Sequence, residues 1–107
     1  MMSNSRIDQL TKFLEENPAD SFVRYALATE YINLNDDETA LAYFLEILRR
    51  DPEYTGMYYH LGKLYQRLNE KELAEETFKN GMTLTYGKDP HAHYELQEAM
   101  NQLLDDY

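Results

Sequence analysis

The feature that most constrains this chain is a repeat. Slid against itself by 34 residues, residues 21–54 align with residues 55–88 without a gap. Eight positions are identical: Tyr25/Tyr59, Leu27/Leu61, Tyr31/Tyr65, Leu34/Leu68, Asn35/Asn69, Glu38/Glu72, Ala40/Ala74 and Phe44/Phe78. Most are apolar or aromatic residues at spacings that suit packing. A fixed period of this length means one supersecondary unit used more than once, each copy burying its apolar face against its neighbour.

Apolar residues recur at i, i+3/i+4 and i+7 throughout, and period-two alternation is absent, so the unit is helical. The spacing predicts six helices. The first covers 5–17, with Ile7, Leu10, Phe13 and Leu14 on one face, a capping-box-like start at Ser5 and Asp8, and a stop at Asn17-Pro18. The second carries Val23, Leu27, Ala28, Tyr31 and Leu34 behind an Asp20 or Ser21 cap, and ends at Asn35, which tolerates a left-handed cap. The third starts at Asp36 and Asp37 and ends at Arg49 and Arg50, charges that complement the helix dipole, before Asp51-Pro52. The fourth repeats the second, with Met57, Tyr58, Leu61, Gly62, Tyr65 and Leu68, and stops at Asn69. The fifth runs from Lys71 towards Gly87. Asp89-Pro90 opens the sixth, whose apolar stripe is Ala92, Leu96, Met100, Leu103 and Leu104. Loops of a few residues make neighbouring helices antiparallel.

These residues resemble the tetratricopeptide repeat. The second copy supplies Tyr58, Leu61-Gly62, Tyr65, Ala74 and Phe78, and the first Leu27-Ala28, Tyr31, Ala40, Phe44 and Pro52. Departures are Arg24 where a large aromatic is usual, Ile47 and Gly81 for a small alanine, and Tyr86 for the closing proline, so the fifth helix is expected to run past the usual stop. The resemblance implies an all-α fold of antiparallel helix hairpins in a right-handed solenoid. One domain is expected, with an N-terminal capping helix at 5–17, repeats at 21–54 and 55–88, and a C-terminal capping helix at 89–105. Shifted by the period, Leu10 falls on Phe44, Phe13 on Ile47 and Pro18 on Pro52, so the first helix is a lone second-type helix. Three hairpins' worth of helix is near the minimum for such an array, and the chain is expected to be complete.

Composition narrows function. There are no cysteines among 107 residues, which excludes disulfides and thiolate zinc sites and makes a reducing cytoplasm the default. The polar N-terminus, Met1 to Arg6, lacks a signal-peptide core, and no apolar run is long enough to span a bilayer. A net charge of −10 disfavours nucleic acid and membrane as partners. His91 and His93, near Asp89, lie two apart on a helix and point to different sides, so no metal is expected. Ser3, Ser5 and Ser21 read as terminus or caps, and Glu75-Glu76 and Asp36-Asp37-Glu38 as solvated helix starts. No catalytic residue, enzymatic activity or cofactor is expected.

A partner protein or peptide is the remaining expectation. Among the ten tyrosines, Tyr31 and Tyr65 belong to the core, whereas Tyr25 and Tyr59 recur off the core stripe. The family resemblance implies a concave groove presenting Phe22, Tyr25, Thr29, Asn33, Tyr59, Lys63, Gln66, Arg67, His93 and Gln97. Tyrosine and arginine suit an interface, and Lys63 and Arg67 make a positive stripe for an acidic peptide or a free C-terminal carboxylate. The family's chaperone-tail clamp needs lysine and asparagine where Tyr25, Thr29, Tyr59 and Lys63 stand, so that ligand is not expected. The alternative is a self-assembling scaffold that pairs through the apolar third helix, residues 37–50, at Leu41, Tyr43 and Leu45. Monomer or weak homo-oligomer is the expected state.

Overall fold

Asn35 and Asn69 set the geometry of both hairpins. Each lies in the left-handed region, with φ of 61° and 63°, which asparagine tolerates better than most residues. The Asp36 N–H donates to the Tyr31 carbonyl at 2.9 Å and the Asn35 N–H to the Ile32 carbonyl at 2.9 Å. In the second hairpin Glu70 donates to Tyr65 at 2.8 Å and Asn69 to Gln66 at 3.1 Å. Both turns are therefore Schellman motifs, which satisfy the last carbonyls of one helix and start the next within three residues.

The computed structural model describes residues 5–106, so the polar N-terminal reading at residues 1–4, Ser3 included, lies outside the described residues. Six helices are present: α1 (Ser5–Glu16), α2 (Ser21–Asn33), α3 (Asp37–Arg50), α4 (Gly56–Arg67), α5 (Lys71–Thr85) and α6 (Pro90–Asp105). The described residues hold no strand. Ser5 is itself helical, and Asp20, not Ser21, caps α2, accepting the Val23 N–H at 3.0 Å. Asp36 and Asp89 cap α3 and α6 in the same way, through the Thr39 and Ala92 N–H groups. Pro90 occupies the first turn of α6. α5 ends at Thr85, one residue beyond the equivalent of Arg50, and the Thr85 hydroxyl donates back to the Gly81 carbonyl at 2.9 Å.

The helices group into two units, Met1–Tyr54 and Thr55–Tyr107, divided at the boundary between the repeats. In the first unit Ile7, Val23 and Leu27 form a core against which Leu10, Leu14, Tyr31 and Tyr43 pack. Tyr31 and Tyr43 stack at 5.8 Å with their planes 15° apart, one ring from each helix of the hairpin. The Ser21 hydroxyl donates to Asp51 at 2.7 Å and ties the start of α2 to the end of α3.

In the second unit Phe78 is fully buried, and its ring occupies the place where a Cβ on Gly62 would be. Glycine at 62 is what lets α4 and α5 close around that ring. At Gly81 a Cβ would lie 2.8 Å from Tyr58 Cβ and 2.9 Å from Leu96 Cδ1, so the absence of a side chain there lets α4 and α6 both approach α5. α6 buries Leu96, Ala99, Met100 and Leu103. Leu104, expected on that stripe, is exposed, because the 100° step per residue turns it away from Leu96 and Met100 and brings Ala99 in.

Candidate functional site

The groove residues of the first unit sit on and beside a row of rings. Phe22 is 64% exposed and lies 6.5 Å from Tyr25 between ring centres. Tyr25 in turn meets Phe44 edge-on at 6.4 Å and Tyr54 at 6.0 Å. It is half-buried, and that burial pushes its hydroxyl above the usual tyrosine pKa. Burial, followed by Tyr25, does the same to Tyr54. Thr29 is half-buried, with its hydroxyl donating to the Ala26 carbonyl at 2.8 Å, and Asn33 is exposed at the last turn of α2. The row offers a stiff aromatic surface on which Tyr25 and Tyr54 carry hydroxyls.

In the second unit the corresponding residues fall on α4. Tyr59, Lys63 and Arg67 are spaced i, i+4, i+8, so they lie along one stripe. Tyr59 and Lys63 are half-buried and Arg67 is exposed. The Tyr59 ring stands edge-on to His60 at 5.4 Å. Burial holds the His60 imidazole below its usual pKa, with Glu95 acting in the opposite sense. Gln66 donates weakly to Asp106 at 3.4 Å, while its buried Oε1 has no hydrogen-bond partner among the described residues. Gln97 is exposed on α6.

His93 is tied to α5. Its Nδ1 lies 3.1 Å from the Met82 carbonyl and 3.4 Å from the Thr85 hydroxyl, and its ring meets Tyr86 edge-on at 5.7 Å. It ties the start of α6 to the end of α5 and borders a cleft of about 510 Å³ with Lys79, Met82, Thr83 and Tyr86. His91 faces elsewhere, 3.5 Å from Glu95. Among the described residues no three His, Asp or Glu side chains gather as a metal would need.

The three residues of the α3 patch divide between two sides. Leu45 is exposed and Leu41 half-buried, one turn apart, whereas Tyr43 turns inward onto Tyr31. Residues two apart on a helix point roughly 200° apart, so 41, 43 and 45 do not form one surface.

A feature the sequence showed only as a departure is Arg24. It is 7% exposed, and its Nη1 donates to the Pro18 carbonyl. Arg50 reaches the same carbonyl at 3.4 Å. Burial first, then the nearby Arg50, pulls the Arg24 guanidinium below its usual pKa, and Glu46 opposes that pull. Glu46 binds Arg49 and Arg50 at 2.6 Å each and is pushed down to about 2 by those hydrogen bonds.

A tetratricopeptide-repeat profile matches residues 2–58, and a second one matches residues 55–85. The chain belongs to the tetratricopeptide-repeat family. A tetratricopeptide repeat domain protein from Salinibacter ruber is 39% identical, and its crystal structure superposes with a TM-score of 0.77 over 80% of this chain and 97% of that one. The first tetratricopeptide repeat of Spaghetti (RPAP3), bound to the HSP90 peptide SRMEEVD, is 18% identical, with a TM-score of 0.80 over 94% of this chain and 75% of its own. The type III secretion translocator chaperone SycD of Yersinia enterocolitica is 11% identical, with a TM-score of 0.85 over 94% of this chain and 70% of its own. At those identities the last two show the fold alone. No curated protein sequence matches. Tetratricopeptide repeats are general protein–protein interaction modules, and members of the family are generally non-enzymatic scaffolds. No helix among the described residues is long and apolar enough to cross a membrane.

Proposed function

We propose that this tetratricopeptide-repeat protein is a non-enzymatic module that binds an acidic peptide segment, or one ending in a free carboxylate, on the Tyr59–Lys63–Arg67 stripe of α4. The observation that carries the reading is that stripe. Two cations and a tyrosine share one face of one helix in a chain whose net charge is −10. A carboxylate meeting them would gain charge-assisted hydrogen bonds, and the Tyr59 ring offers apolar area with little rotamer freedom to lose. The peptide bound by the first tetratricopeptide repeat of Spaghetti, SRMEEVD, is itself acidic and supports the ligand class. With Tyr59 and Lys63 at two of the clamp positions, the ligand proposed here is an acidic segment other than a chaperone tail. Tyr25 and Phe22 are proposed as a second, aromatic contact surface in the first unit.

Affinity capture from lysate, followed by calorimetry with an acidic peptide in free-acid and C-terminally amidated forms, tests the reading. Lys63→Glu is expected to weaken binding at least about tenfold and Tyr59→Ala to weaken it further, with circular dichroism unchanged. If both folded variants still captured the same proteins, the α4 stripe would not be the site.

A further inference from the structure

The repeat register assigns a role to each face of α1. Shifted by 34 residues, Arg6, Leu10 and Phe13 fall on Ala40, Phe44 and Ile47, and by 68 residues on Ala74, Phe78 and Gly81. In α3 and α5 those positions are buried, as the hairpins pack α2 against α3 and α4 against α5. α1 has no such helix before it among the described residues. Its face is open instead: Phe13 is 47% exposed, Leu10 is half-buried, and the two line a cleft of about 400 Å³ with Arg6, Gln9 and the outward-facing Phe22.

We propose that this face binds the same face of a second copy of the chain, with the two α1 helices antiparallel about a two-fold axis. The face is self-complementary, as a two-fold contact requires. It carries projecting rings and an adjoining hollow, so the Phe13 and Phe22 rings of each copy can enter the cleft of the other. It also carries opposite charges at its two ends. Arg6 and Glu16 lie on the same side of α1, ten residues or about 15 Å apart. With the axis level with Thr11, Arg6 faces Glu16 of the second copy and Gln9 faces Phe13 of the second copy. Arg6 already contacts Glu30 at 2.5 Å and remains 65% exposed, so its position is fixed before the second copy arrives. The reading is independent of the α4 stripe, which lies in the other unit, and Phe22 is the one residue it shares with the aromatic contact surface proposed above. It also moves self-association away from α3, where Tyr43 is committed to packing on Tyr31.

Sedimentation velocity and light scattering of the full chain, from micromolar to millimolar concentration, test the proposal. The expected result is a concentration-dependent dimer. Phe13→Glu is expected to raise its Kd about 30-fold or more, with an unchanged circular dichroism spectrum. Phe22→Glu, at a still more exposed position, is the second reading should Phe13→Glu disturb the fold. Glu16→Arg should weaken the dimer by setting like charges together, and Glu16→Gln should weaken it less. A chain that stays monomeric at millimolar concentration overturns the proposal. So does a dimer that survives both phenylalanine variants and is broken by Leu45→Glu, or one that Glu16→Arg leaves unchanged.

Discussion

The two hairpins, α2–α3 and α4–α5, share their turns, their buried phenylalanine and their tyrosine, yet they solve one packing problem in opposite ways. In the second, a large residue from α4, Tyr58, lies against a glycine in α5, Gly81. In the first, the equivalent pair is Arg24 and Ile47, so α3 carries a branched apolar side chain where α5 has none. The second hairpin buries an uncharged ring at this point. The first buries a guanidinium, and a buried charge needs partners. Pro18 supplies a carbonyl from the α1–α2 loop, and Glu46 supplies opposing charge from α3. The same repeat position is a packing residue in one copy and a loop anchor in the other. Sharing a register fixes where a side chain points, and the neighbours decide what chemistry it must have.

The comparison can be broken most forcefully at the glycine under Phe78. Gly62→Ala drives a methyl group into the Phe78 ring and is expected to cost about 3 kcal/mol in urea denaturation. The reciprocal change, Ala28→Gly, removes a methyl from the first hairpin and should cost only about 1 kcal/mol, mostly through backbone entropy. If the two costs were equal, the closer approach in the second hairpin would be in doubt. Arg24→Ala comes next. It leaves a void and takes a donor from the Pro18 carbonyl, with an expected loss of about 2 kcal/mol. Tyr58→Phe, by contrast, keeps the ring and removes only a buried hydroxyl, with an expected loss of about 1 kcal/mol.

The turns should behave alike where the hairpins otherwise differ. Asn35→Ala and Asn69→Ala each place alanine at positive φ and are expected to cost about 1 kcal/mol, whereas Asn→Gly at either site should be nearly neutral. The smallest effect is electrostatic and confined to the first hairpin. Glu46 is held at about 2, below its ordinary value of 4.5, by Arg49 and Arg50. A depressed carboxyl stabilises the fold above the unfolded value, so this contribution should be complete above about pH 5 and fade as pH falls from 4.5 towards 2. An NMR titration of the Glu46 carboxyl should show the low midpoint. Glu46→Gln should flatten the acid side of the thermal melting profile, and added salt should weaken the effect. The second hairpin has asparagine, Asn80, at this position and should show no counterpart.

Most of the fold was legible because the signals were local. Helix periodicity, aspartate caps and the asparagine turns each depend on a few neighbouring residues, and the 34-residue period marks Phe44 and Phe78 as packing residues. What the sequence hid depended on contacts made from outside the helix in question. Arginine is usually a surface residue, so nothing in α2 announced that Arg24 would turn inward to a carbonyl in the preceding loop. His93 matched Tyr59 in register and was expected in the groove, but the carbonyl at the end of α5 holds it. Tyr43 matched an exposed-patch pattern because α3 is apolar nearly all round, and only the facing Tyr31 shows which side it takes. For the α4 stripe, the family resemblance supplied Tyr59 and the i, i+4 spacing paired Lys63 with Arg67, and its role in binding is a proposal.

The three-residue turns at Asn35 and Asn69 carry one more implication, for time rather than for shape. Each closes its hairpin with hydrogen bonds among residues no more than five apart, and nearly every helix pair in contact is adjacent along the chain. Bringing such partners together closes only short loops, so little chain entropy is lost before packing repays it. Either hairpin can form first. The chain should fold quickly, and a variant that cripples one turn should slow only the route that begins there.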